Sequence, residues 1–117
     1  MIISITGSRS FTDYDNFKHQ LEEFCLHNNI EIEKIISGGA KGVDALALRY
    51  AEEKKIPIQE ILPDWEKHGR GAGIIRNKII IDAAEYNIVF WDGKSKGSKS
   101  NIDYCTKNDK KLRVINV

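Results

Sequence analysis

Five short runs rich in apolar residues, Ile2–Ile5, Glu33–Ser37, Ile58–Leu62, Asn87–Trp91 and Leu112–Val117, alternate along the chain with four segments of helical spacing. Such runs read as strands covered from both sides, and strand–helix alternation specifies a parallel sheet with right-handed crossovers. The pattern predicts an α/β fold: a doubly wound, parallel five-stranded sheet with helices on both faces. At 117 residues, one domain spanning residues 1–117 is expected, burying roughly two-thirds of its unfolded surface. No repeat, linker or low-complexity stretch divides it.

The helical segments carry their own signals. Thr12 or Asp13 caps the first, whose stripe is Tyr14, Phe17, Leu21, Phe24 and Cys25 and which ends at Asn28-Asn29. The second runs from a glycine turn to Lys55, with Val43, Leu46, Ala47, Tyr50 and Ala51 on one face. The third spans Ala72 to Ala84. At 100° per residue, Ala72, Ile75, Ile79 and Ala83 face inward, Arg76 and Ile80 flank them, and Ile74 and Ile81 point outward. Two outward isoleucines predict a homodimer or higher homo-oligomer formed through this helix. A polar turn, Lys94–Ser100, precedes the fourth helix, which ends near Asp109. Pro63 to Gly71 reads as a polar connection.

In a doubly wound sheet, ligands bind outside the C-terminal ends of the strands. Here those ends carry Gly7-Ser8-Arg9, Ser37-Gly38-Gly39, Asp64-Trp65 and Asp92-Gly93, whereas the opposite ends carry plain charges such as Glu31, Lys55 and Lys110-Lys111. The stretch Ser37-Gly38-Gly39-Ala40-Lys41-Gly42-Val43-Asp44 is a strand, a glycine turn and a helix start. Bare glycines expose backbone amides, and a helix start adds free N–H groups and the positive end of its dipole. That predicts a phosphate cradle. Ser95, Ser98 and Ser100, in a polar turn before a helix, offer a second one. The Gly-Gly-x-x-Gly pattern matches neither the dinucleotide fingerprint nor the P-loop, which demotes hydride-transfer and Mg-NTPase chemistry.

Arg9 and Arg76 are candidate clamps for phosphate or carboxylate, Arg76 the better placed. Asp44 and Asp92 are candidates for holding ribose hydroxyls, and Trp65 for covering a base, while Trp91 follows a strand directly and suits the core. His68 has no Cys or His neighbour at ligand spacing, so neither a metal nor a cofactor is expected. No Ser-His-Asp spacing or nucleophile elbow is present. A net charge of +1 gives no reason to expect bulk nucleic acid or a membrane surface as partner. Cys25 and Cys105 fall at apolar helix positions, as free thiols in a reducing compartment would. With no apolar run near 18 residues and no signal segment before the first strand, a cytoplasmic location is expected.

Taken together, Gly7-Ser8-Arg9, the Ser37–Asp44 turn, Asp64-Trp65, Ala72-Gly73-Ile74-Ile75-Arg76-Asn77 and Phe90-Trp91-Asp92-Gly93-Lys94-Ser95-Lys96-Gly97-Ser98 resemble the SLOG superfamily, which includes the Smf/DprA and LOG proteins. The nearest likeness is to its small YspA-type branch, and it covers nearly the whole chain. The resemblance implies a Rossmann-like sheet and a pocket for a nucleotide or nucleotide-derived ligand such as an ADP-ribose derivative. Relatives in this group include sensors of signalling nucleotides, LOG phosphoribohydrolases acting on nucleoside monophosphates and DprA-type binders of single-stranded DNA. It points to Gly7, Ser8, Arg9, Ser37, Gly38, Gly39, Ala40, Gly42, Asp44, Asp64, Trp65, Gly73, Arg76, Asn77, Asp92, Gly93, Ser95, Gly97 and Ser98 as ligand-binding positions.

Arg76 matches the arginine of the LOG Arg-Lys pair. The LOG glutamate three residues after the Gly-Thr pair has no counterpart, because Asn101 stands there. An amide serves neither as general base nor as countercharge to an oxocarbenium-like centre. Binding is therefore favoured over N-glycosidic hydrolysis, for which Arg76, Asp44, Asp92 and Asp103 remain the candidate groups. Single-stranded DNA binding requires Lys94, Lys96, Lys99, Lys107, Lys110 and Lys111 to form one patch.

Overall fold

A computed structural model describes residues 1–117. Its strands are β1 (Ile2–Gly7), β2 (Lys34–Ser37), β3 (Ile58–Glu60), β4 (Tyr86–Trp91) and β5 (Leu112–Asn116). They form one all-parallel sheet in the order β3-β2-β1-β4-β5. Between them run α1 (Tyr14–His27), α2 (Val43–Lys54), the short α3 (Trp65–His68), α4 (Ala72–Ala83) and α5 (Lys96–Lys107). The architecture is the Rossmann-like, doubly wound one that the alternation specifies. The chain leaves β1 toward one edge and later returns to pair β4 on the other side of β1. The crevice at that reversal lies above the C-terminal ends of β1 and β4.

The two faces of the sheet differ in chemistry. Ile3 and Ile5 of β1 and Ile88 and Phe90 of β4 join Phe17, Leu21, Val43, Ala47 and Tyr50 in an apolar core under α1 and α2. The alternate residues, Ser4, Thr6 and Asn87, are also buried, and they face α4 and α5. There Ser4 Oγ donates to Asn87 Oδ1 at 2.6 Å and Asn101 Nδ2 donates to Thr6 Oγ1 at 3.2 Å. Each buried polar group on this line has a partner, which keeps the layer from costing stability. The line climbs the sheet toward the crevice.

Four expectations need correction. Ile81 is only 1% exposed, and Ile79 is 51% exposed. The helical-wheel reading treated the sheet as the sole neighbour, but α5 packs beside α4 and covers its Ile81 flank. Second, α5 begins at Lys96, so Gly97 to Ser100 are helical rather than a turn. The Asp92 carboxylate accepts the amides of Lys94 and Ser95, both at 2.8 Å, and fixes the helix start there. Third, Pro63–Gly71 is not an irregular connection. Asp64 caps α3 by accepting the Lys67 amide at 3.1 Å, and a 3₁₀ turn, Gly69–Gly71, leads into α4. β3 also stops at Glu60, because its partner β2 ends at Ser37 and leaves nothing to pair with Leu62.

Candidate functional site

Two adjoining hollows occupy the crevice. The first, about 520 Å³, is lined by Thr6, Gly7, Arg9, Ser10, Ala40, Asp44, Arg76, Asn77, Asp92, Lys94, Ser95, Lys96, Gly97, Ser98 and Asn101. Ala40 is its one apolar side chain. The second, about 600 Å³, is lined by Arg9, Gly38, Gly39, Ala40, Lys41, Ala45, Leu62, Pro63, Trp65, Gly73 and Arg76. Arg9, Ala40 and Arg76 border both, so the hollows are two lobes of one cleft.

Of the positions expected from sequence, Gly7, Arg9, Ala40, Asp44, Arg76, Asn77, Asp92, Ser95, Gly97 and Ser98 line the polar lobe, and Gly38, Gly39, Trp65 and Gly73 line the second. Five positions are not brought into either lobe. Ser8 is fully buried, and its hydroxyl accepts the Asp92 amide at 3.0 Å. Ser37 is also fully buried and donates to the Ile5 carbonyl at 2.8 Å. Gly42 packs against the Ser8–Arg9 backbone. Asp64 is the α3 cap, and Gly93 lies on the outer side of the α5 start. Thr6, Ser10, Lys94, Lys96 and Asn101 line the cleft in addition. Thr6 sits on the strand just before the glycine and Lys96 just after the N-cap serine, so strand parity and cap position were the signals for them.

In the glycine turn two amides are taken within the chain, while those of Gly38, Gly39, Lys41 and Gly42 find no acceptor there. The Ala40 amide donates to Asp44 Oδ2 at 3.1 Å, and the Val43 amide donates to the Ser8 carbonyl at 3.3 Å. Asp44 already places a carboxylate in the first turn of α2, where it repels a second anion. Gly38 serves a different purpose. A Cβ there would lie 2.7 Å from Arg76 Nη1 and 2.9 Å from Asp44 Oδ2, so the missing side chain is what admits these two groups side by side.

The start of α5 carries no such carboxylate. Its first backbone bond is from the Lys99 amide to the Ser95 carbonyl, at 3.1 Å. The amides of Lys96, Gly97 and Ser98 find no acceptor in the chain, and no acidic residue stands in this turn. The Ser95 hydroxyl points to Ser8 Oγ and Asp92 Oδ2 instead of capping the helix. These amides, with the helix dipole behind them, face the polar lobe and suit an anion.

Arg76 is 8% exposed. Its Nη1 donates to the carbonyls of Gly38 at 2.6 Å and Ile61 at 3.2 Å, and its Nε to Asn77 Oδ1 at 2.8 Å. These bonds lock the guanidinium and leave Nη2 without a partner in the chain. Burial lowers its pKa from the ordinary value, with the Asp44 charge acting the other way. Asp44 is 6% exposed. Burial raises its pKa, opposed by the Ala40 amide, the Ser37 hydroxyl and the Arg76 charge. Its Oδ1 is buried with no hydrogen-bond partner. Asp92 is held well below the usual carboxylate range by the Ser95 and Lys94 amides. Four cations, Arg9, Arg76, Lys94 and Lys96, thus face two carboxylates across the polar lobe. No group of three or more His, Cys, Asp or Glu side chains is placed to hold a metal ion.

A doubly wound sheet with a cationic, amide-lined cleft at its reversal point defines an α/β protein of the Rossmann-like class. Residues 1–68 match the model of the YspA, cpYpsA-related SLOG family, and the chain belongs to that family. It is similar to the Gene 61 protein of Mycobacterium phage D29, 31% identical over 122 residues that cover 97% of this chain and 94% of the relative. No solved structure matches the chain.

Proposed function

We propose that the cleft binds a nucleotide or nucleotide-derived small molecule, sensing or sequestering it. Phosphate sits on the free amides of Lys96, Gly97 and Ser98, with Arg9 and Arg76 as countercharges. The sugar lies over Asp44 and Arg76. The base enters the second lobe, against Trp65, Leu62 and Pro63. The observation that carries this reading is the pairing of a helix start whose amides have no acceptor in the chain with a lobe that Leu62, Pro63 and Trp65 line, across one locked arginine. The test is thermal unfolding against mononucleotides, cyclic nucleotides and ADP-ribose. A binder at 100 times its Kd adds about 2.7 kcal/mol, several degrees in Tm. No shift across the panel overturns the reading.

N-glycosidic hydrolysis is the weaker alternative. Asp103 is exposed and pairs with Lys99 at 2.6 Å, so it does not replace the missing glutamate. Asp92 is committed to its own turn. Asp44 is the one cleft carboxylate with a free oxygen. Incubation with AMP is expected to release no adenine. Single-stranded DNA binding has less support: Lys99 and Lys110 pair with Asp103 and Asp82. Lys107 ends α5, about 16 Å along the helix from Lys96, and Lys111 follows it.

We also propose self-association through α4, where Ile74 and Ile79 are 50% and 51% exposed. Sedimentation as a monomer, unchanged by Ile79→Asp, would remove that proposal. No helix is long and apolar enough to cross a membrane. Burial pushes the thiols of Cys25 and Cys105 up to about 11, and two unpaired cysteines fit a reducing, cytoplasmic setting.

A further inference from the structure

We infer that residues 62–71 form a lid, which folds over the second lobe when a flat ring enters it and carries Trp65 onto that ring. This rests on the nucleotide reading and adds to it a closing step that the base sets off.

No residue from Leu62 to Gly71 is buried, although the segment holds a leucine and a tryptophan. Leu62 is 67% exposed and Trp65 57% exposed, and both line the second lobe. The hydrogen bonds of the segment are its own. The Lys67 amide donates to Asp64 Oδ1 at 3.1 Å, the His68 amide to the Asp64 carbonyl at 3.0 Å, and the Gly69 amide to the Trp65 carbonyl. Its charged side chains pair with nothing in the rest of the chain. α3 packs chiefly on α4 and the 3₁₀ turn. A segment with no buried side chain and few bonds to the body opens by itself, at far less cost than global unfolding.

The two ends are held where the middle is not. The Ile61 amide donates to the Ser37 carbonyl at 2.9 Å, and the Ile61 carbonyl accepts Arg76 Nη1 at 3.2 Å. At the other end Ala72 is fully buried. Between these anchors Gly69 has φ +57° and ψ −132°, a conformation that glycine takes without strain. Nothing lies within 4 Å of a Cβ built there. Gly69 therefore has both the backbone freedom and the room of a hinge, and α3 moves as one capped turn beside it.

The trigger follows from what the lid exposes. Leu62 and Trp65 leave apolar surface in water at the mouth of the lobe. A base laid there takes that surface out of water and offers the indole a flat partner. A sugar phosphate reaches the α5 amides but offers the lid no apolar face.

The test is hydrogen–deuterium exchange of the full chain, alone and with saturating AMP or ribose 5-phosphate. Alone, the amides of residues 64–71 should exchange about 100-fold or more faster than those of Ile80 and Ile81 in α4. AMP should slow them about tenfold or more. Ribose 5-phosphate should leave them fast while protecting Lys96, Gly97 and Ser98. Trp65→Ala should bind AMP about tenfold more weakly. Under saturating AMP it should lose the slowing at residues 64–71 and keep the protection at the α5 start. Residues 64–71 that exchange as slowly as α4 in the free chain overturn the lid and leave the nucleotide reading standing. Equal slowing by ribose 5-phosphate, or slowing by AMP that survives in Trp65→Ala, also overturns it. AMP and ADP-ribose that alter exchange nowhere sink the nucleotide reading itself, and the lid's trigger with it.

Discussion

The starts of α2 and α5 look alike in composition and differ in what they leave available. Both follow a strand whose C-terminal end borders the cleft, and both hold glycine and a small hydroxyl. At α2 the chain takes two amides for itself and leaves those of Asp44 and Ala45 free. The Ser8 carbonyl takes the Val43 amide, and Asp44 takes the Ala40 amide and supplies the negative charge that the dipole favours. At α5 the local acid, Asp92, sits before the cap and accepts the amides of the turn, so the helix amides stay free. A glycine-rich helix start is thus a poorer anion site when it carries its own carboxylate. Both starts keep free amides, and what separates them is the carboxylate, inside the first turn at α2 and before the cap at α5.

The largest effect expected from this difference is at Gly42. Its φ is +69°, and a Cβ would run into the Ser8 and Arg9 backbone carbonyls. Gly42→Ala should cost about 3 kcal/mol or more, a large part of the stability of a small domain. Urea denaturation measures it. Gly97, in the first turn of α5, has nothing within 4 Å of a built Cβ. Gly97→Ala should be neutral or stabilise by up to about 1 kcal/mol. Equal costs at the two glycines would break the contrast between a closed and an open turn.

The next test removes one donor without disturbing the helix. Ser95 has φ −61° and ψ 121°, an extended conformation that a following proline accepts, and the first helical position favours proline. Lys96→Pro therefore deletes an amide and a charge, while Lys96→Ala deletes the charge alone. AMP should bind Lys96→Pro about tenfold more weakly than Lys96→Ala, since hydrogen bonds to charged groups contribute about 1.5–3 kcal/mol. Identical affinities would mean that the anion is not held by this helix end.

The sequence carries the sheet, its order of elements and its functional edge, because strand–helix alternation and the placement of glycines are local signals. It does not carry the division of labour between the two turns. That depends on Ser8 lying under Gly42, a contact between residues far apart in the chain. Ile81 shows the same limit: its burial is set by α5, which a single-helix wheel ignores. Asp64 was visible as a polar residue at a strand end, but its role as a cap depends on the four-residue α3, too short for periodicity to show. Arg76 was legible because a lone cation at the inner edge of an apolar helix needs partners, although the Gly38 and Ile61 carbonyls that lock it were not.

The smallest effect concerns what keeps α5 open. Asp92 is more acidic in the folded chain than its ordinary value of 3.8, because its carboxylate accepts the Ser95 and Lys94 amides. A depressed carboxylate contributes stability that is present above pH 3.8 and is lost as pH falls below it. Asp92→Asn keeps the acceptor oxygen and removes the titration, so its stability should fall less between pH 5 and pH 3 than that of the wild type. The site is exposed to solvent, and added salt should shrink the difference. Trp91 is a local reporter, since its Nε1 donates to the Ser95 carbonyl at 3.1 Å. In a Trp65→Phe background its fluorescence should change in acid before the far-ultraviolet circular dichroism does. Coincident transitions would show that the α5 start has no independent dependence on Asp92. The free amides would then be kept open by the core as a whole and not by this one carboxylate.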